Sequence, residues 1–129
     1  MTVNDVFTQG LALIQAKPAD DTEMTGYAVA WVNQMIAETF ETENSIRRFE
    51  GTSELTEPQE VTALTDTLTY NWRLVRAAFP KGIASRALYD EDNSMAQNFA
   101  AEYYAAVSDA QKLTSGSYVT DVYSDESEE

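Results

Sequence analysis

Twenty-two acids, with no histidine and no cysteine, bound what the side chains of this 129-residue chain can do. Without an imidazole there is no Ser-His-Asp or Cys-His catalysis and no histidine-ligated zinc or iron. Without a thiol there are no disulfides, thiolate metal sites or sulfur nucleophiles, and the redox compartment is left unmarked. Carboxylates remain. A close acid pair is inevitable among so many and therefore says little, and no acid stands in a recognisable catalytic context. Asp90-Glu91-Asp92-Asn93 resembles the opening of a calcium loop, but the glycine such a loop needs at its sixth position is Met95 and its twelfth-position acid is Ala101. These acids read as a solvated turn and a helix cap. Gly26, Gly51 and Gly82 belong to no phosphate-cradling motif. The expectation is a protein with no enzymatic activity, no cofactor and no metal.

Two further groups have chemical character. Tyr27, Trp31 and Met35 lie on one helical face and read as a core stripe more readily than as a ligand site. Arg47-Arg48 is the only adjacent basic pair and should meet carboxylates. Eight Lys and Arg against 22 Asp and Glu give a net charge of −14, which repels phosphate backbones and disfavours conventional nucleic-acid binding. No apolar run approaches the ~20 residues that span a bilayer. The N-terminus, with Asn4 and Asp5 and no early Lys or Arg, does not read as a signal peptide, so a soluble, intracellular protein without membrane contact is expected.

The elements that position these residues read as all-α, a small bundle of four to five helices. Hydrophobic residues make up 43% of the chain and 14 positions are aromatic, enough for one cohesive core. Thr2 should cap a first helix to about Lys17, stopped by Pro18. Met24, Tyr27, Ala28, Trp31, Met35 and Phe40 mark a second to about Glu43. A long connection, 51–70, is expected as an extended arm. Asn71 should cap a third helix to Tyr89, marked by the helical spacing of Trp72, Val75, Phe79, Ile83, Ala87 and Leu88, with Pro80 kinking it or breaking it near Gly82. Asp92 or Asn93 should cap the last, ending near Leu113 to Gly116. Trp31, Phe79, Phe99 and Tyr103 are expected in the core. The helical domain thus covers 1–113, followed by an acidic tail, 114–129, whose strand-prone Ser117–Tyr123 precedes the charged run to Glu129.

Two segments suggest partners. A connection as long as the arm is seldom idle in a compact domain, which points to Val61, Leu64 and Leu68 as contact residues. In the tail, Tyr118, Val119, Val122 and Tyr123 would place apolar groups on both sides of an extended segment, suiting it to strand pairing or groove insertion on a neighbour.

One stretch carries a resemblance. Val61-Thr62-Ala63-Leu64-Thr65-Asp66-Thr67-Leu68, then Ala77-Ala78-Phe79-Pro80-Lys81-Gly82-Ile83-Ala84, then Asp90-Glu91-Asp92, then Ala96-Gln97-Asn98-Phe99-Ala100-Ala101-Glu102-Tyr103 follow one another in the order and spacing of a known group. In this the chain resembles the head-to-tail connector (adaptor, or head completion) proteins of tailed bacteriophages. The resemblance implies a structural virion protein at the neck, made in the host cytoplasm. It would be a helical subunit of a homo-oligomeric ring, commonly a dodecamer, bound to the portal protein and to a tail or stopper protein, with DNA passing through the lumen without specific binding. The alternative is an acidic DNA mimic or regulatory protein that binds a basic partner.

Overall fold

A computed structural model describes the backbone of residues 1–16 and 22–127 and the side chains of residues 1–16 and 24–114. The protein is mainly helical: α1 (Val3–Leu13), α2 (Thr22–Glu38), α3 (Phe40–Glu50), the single turn α4 (Trp72–Val75), α5 (Phe79–Leu88) and α6 (Asn93–Ser127). No helix among the described residues is long and apolar enough to cross a membrane.

Local chemistry starts several of these helices. Thr2 Oγ1 accepts the Asp5 amide while the Asp5 carboxylate accepts the Thr2 amide, a reciprocal capping box. Asn71 accepts from the Arg73 amide, and Asp92 accepts from the Met95 amide at 3.1 Å. Helix ends are less local. α1 stops before Lys17, because Gln15 takes a left-handed conformation (φ 59°) and the Ala16 amide returns to the Leu11 carbonyl. Pro18, the expected stop, lies outside the described residues. The single helix expected to Glu43 bends at Thr39, whose hydroxyl donates to the Met35 carbonyl at 2.7 Å. Pro80 does not kink α5; it sits in its first turn, where a missing amide costs nothing, and the break falls at 76–78.

α5 is the hub. Phe79, Pro80, Gly82, Ile83, Ala84 and Ala87 bury it on most of its circumference, as an apolar helix at the centre of a bundle requires. α1 and α6 make its most extensive contacts, and α2 packs against it as well. Two glycines permit this closeness. A Cβ at Gly10 would lie 2.5 Å from the Cβ of Ile83, and one at Gly82 would overlap Met35 Sδ and stand 3.1 Å from the Tyr103 ring. Of the expected core aromatics, Phe79 and Tyr103 are fully buried, and Trp31 and Phe99 are half-buried.

The connection 51–70 contains no helix, but it does not reach away from the body. It folds back over the bundle, with Val61 and Leu68 only 1% and 6% exposed and Leu64 half-buried against the core. Thr2 and Thr67 form an antiparallel bridge, flanked by bonds from the Val3 amide to the Asp66 carbonyl and from the Leu68 amide to the Met1 carbonyl. The expectation of an outstretched arm is therefore corrected: its apolar side chains satisfy themselves on their own core.

The tail departs from expectation in the opposite sense. α6 does not end near Gly116 but continues as helix through Ser127, so Ser117–Tyr123 is helical and not extended. Propagating an existing helix adds one hydrogen bond per residue fixed, which overrides the strand propensity of Tyr, Val and Thr there. Glu128 and Glu129, the end of the acidic run, lie outside the described residues.

Candidate interaction surface

Buried polar groups are the first place to look for a site, and here they hold the fold together. Glu43 is 2% exposed, yet its carboxylate receives Arg47 Nε at 2.6 Å on one oxygen and the Asn71 amide at 2.7 Å on the other. Arg47 continues to the carbonyls of Ser53 and Thr69, so one ion pair ties α3 to both ends of the connection. Arg48 faces Glu54 at 3.5 Å. Both arginines of the basic pair thus meet carboxylates. The Tyr70 hydroxyl donates to the Ile36 carbonyl at 2.9 Å. Its burial, assisted by the Glu43 carboxylate, pushes its pKa up to about 12.

Three side-chain amides clasp the connection. Asn33 accepts the Val61 amide and donates to the Val61 carbonyl, both at 2.8 Å. Asn44 does the same to Leu55, and Gln59 bridges the Thr67 carbonyl and the Thr69 amide. Each amide offers a strand segment the donor and acceptor that a neighbouring strand would supply. Among the described residues every buried side-chain nitrogen or oxygen has a partner.

What the bundle leaves open is apolar. A groove of about 500 Å³ runs between the α4–α5 segment and α6. Its apolar lining is mostly alanine, Ala77, Ala105, Ala106 and Ala110, bounded by Trp72 and Leu113, which are 55% and 49% exposed. Its walls differ in sign: Arg73 and Lys81 line it from α4 and α5, Glu102 and Asp109 from α6. Arg73 stacks on the Trp72 ring at 4.7 Å and reaches Glu50 at 3.6 Å, whereas Lys81 makes no ion pair among the described residues. Small residues between large ones make a surface that a helix can enter closely. A smaller cavity beside the Tyr27–Trp31 ring pair (5.9 Å between centroids) also receives Arg86, Asp90 and Glu91.

Compared with protein families, with curated proteins and with solved structures, the chain matches none.

The residues singled out by sequence divide accordingly. Val61 and Leu68 are core residues, and Leu64 is half-buried beside them, so these three form no exposed apolar face. Tyr118, Val119, Val122 and Tyr123 lie on the helical continuation of α6, and their side chains are outside the described ones. Trp72 was expected on the buried stripe of the third helix and is instead exposed, because α4 is a separate turn whose inward residues are Leu74 and Val75. Tyr27, expected in a core stripe, is half exposed beside Trp31. The groove was not expected. Its one sequence signal is the alanine-rich face of α6 ending in Leu113, an apolar surface with no large residue to cover it.

Proposed function

We propose that this chain is a structural head-to-tail connector of a tailed phage, a ring-forming adaptor between portal and tail that lets DNA pass. The observation that carries the reading is the apolar groove with oppositely charged walls, set on a chain of net charge −14. Such a surface favours protein partners and repels DNA, which is what a subunit lining a DNA channel needs. The motif resemblance over Val61 to Tyr103 supports it further. Its residues belong to a single packing unit here: the connection clasped by Asn33, the start of α5 at Phe79-Pro80, and Gly82 against Tyr103.

The reading assigns the protein a wholly mechanical task. The bundle keeps its shape through α5, and the groove makes a joint with a neighbour. The arm, being folded onto its own core, contributes rigidity and not reach.

Light scattering of the purified full-length chain, alone and mixed with the portal protein of a phage that encodes it, tests the reading. A connector forms a closed multimer on the portal. A monomer or dimer that instead binds basic proteins with strongly salt-dependent affinity identifies a DNA mimic and overturns it.

A further inference from the structure

α2 brings two aromatic rings together near its start. Tyr27 and Trp31 are one helical turn apart and share a side of the helix, with ring centroids 5.9 Å apart and planes tilted by 35°. Trp31 is half-buried against the core, which fixes its place, whereas Tyr27 is 50% exposed. Between this pair and the end of α5 lies the cavity of about 170 Å³, completed by Met24, Arg86, Ala87, Asp90 and Glu91.

The electrostatics of this cavity favour a cation. An aromatic ring carries negative charge on its face and attracts positive groups there. Asp90 and Glu91 are exposed and make no ion pair among the described residues. The cavity also stands at the last turn of α5, where the helix dipole is negative. Arg86 is the one positive charge among the lining residues, and it is already matched: it reaches Glu38 at 3.1 Å and donates to the Gly82 carbonyl at 3.2 Å. Two carboxylates beside two rings are left to act on whatever enters.

Size narrows the ligand. Sites for whole small molecules occupy roughly 300–1,000 Å³, so a cavity of about 170 Å³ admits a head group or the end of one side chain. An anion would meet like charge, and a neutral apolar group would strip water from the carboxylates without replacing it. The rings are tilted by 35° and offer no parallel slot for a planar guanidinium, whereas a compact ammonium on an alkyl stem needs none.

We propose that the cavity between α2 and the α5–α6 turn seats the ammonium end of a lysine side chain carried by a partner protein. The stem lies along Met24 and Ala87, and the charge sits between the rings and the carboxylates of Asp90 and Glu91. The net charge of −14 draws a basic partner from a distance, and the cavity gives one of its side chains a fixed place. This seat does not depend on the connector reading.

Trp72→Phe, at an exposed position, leaves Trp31 as the only tryptophan, so fluorescence reports on the cavity. In that full-length background, butylammonium chloride, which copies the end of lysine, should give a saturable change in the millimolar range at constant ionic strength. 1-Butanol, its neutral counterpart of equal length, should bind at least tenfold more weakly. Asp90→Asn combined with Glu91→Gln should weaken the ammonium several-fold and leave 1-butanol unchanged; Asp92, which caps α6, stays in place, and circular dichroism verifies the fold. Tyr27→Leu should weaken the ammonium several-fold as well. The absence of a saturable change overturns the proposal, as does equal binding of 1-butanol, or binding that ignores both the acid and the Tyr27 variants. Choline or propylguanidinium binding tenfold more tightly than butylammonium would assign the cavity to a free quaternary cation or to arginine and overturn the lysine seat.

Discussion

The Tyr103 hydroxyl donates to a Glu38 carboxylate oxygen at 2.9 Å, and Arg86 Nη2 reaches the same oxygen at 3.1 Å. Arg86 also donates to the Gly82 carbonyl and lies 5.6 Å from the centre of the Tyr103 ring. Three helices, α2, α5 and α6, therefore share one junction beside a glycine that has no room for a side chain.

That junction sets a graded series of substitutions. Tyr103→Phe removes one hydrogen bond to a partly exposed carboxylate and should cost about 1 kcal/mol. Tyr103→Ala opens a cavity and should cost about 3–5 kcal/mol. Gly82→Ala forces Met35 and the Tyr103 ring aside and should cost about 1–3 kcal/mol. Urea midpoints at constant slope measure all three, and a neutral Gly82→Ala would show that the helices are not held this close.

Asn33 makes a similar prediction for the connection. Asn33→Ala leaves both the amide and the carbonyl of Val61 without their partner and should cost about 1–3 kcal/mol. Hydrogen exchange should show the Val61 amide losing protection first, while the α5 amides keep theirs. Equal loss throughout would mean that the clasp does not govern local opening.

Stability should fall at both ends of the pH scale. Backbone and hydroxyl donors at Thr2 hold Asp5 below its ordinary value of 3.8, and the Thr62 and Ala63 amides do the same for Asp66. Depressed carboxyls contribute stability that is complete above 3.8 and lost as pH falls through their folded values. Tyr70 has the opposite sign. Raised by burial from 10.0 to about 12, it keeps its proton in the fold after the unfolded chain has lost it, so its contribution is complete below pH 10 and declines above. Burial raises Tyr103 in the same direction. Thermal melts from pH 3 to 11 should show a plateau with a decline at each end, and an alkaline decline absent in wild type would contradict the buried hydroxyls.

Much of this architecture was written locally. The caps at Thr2, Asn71 and Asp92 depend on residues three apart or fewer, and the stripes that bury Phe7, Phe79 and Tyr103 depend on helical period alone. What was not legible joins distant residues. Asn33 and Val61 are 28 apart, and nothing in an asparagine announces which backbone it will clasp. Trp72 read as core because its spacing fits one long helix, and the break at 76–78 turned it outward to the groove. The tail read as strand from its valines and tyrosines, while the helix behind it decided otherwise.

Filling the groove should affect assembly and not folding. Ala105→Trp places an indole over the alanine floor from an exposed helical position. Its thermal midpoint should stay within a few degrees of wild type, since surface changes are usually within about 0.5 kcal/mol. Light scattering should show at least a tenfold weaker self-association. Unchanged association would mean that the groove is not a joint.

The most direct test of the connector assignment is the protein composition of purified tailed particles from a host that produces this chain, read by quantitative mass spectrometry and by imaging of the neck. The account expects the chain in every complete particle, in a fixed ratio to the portal protein, with density between portal and tail. Particles that are complete and infectious but lack the chain would contradict it.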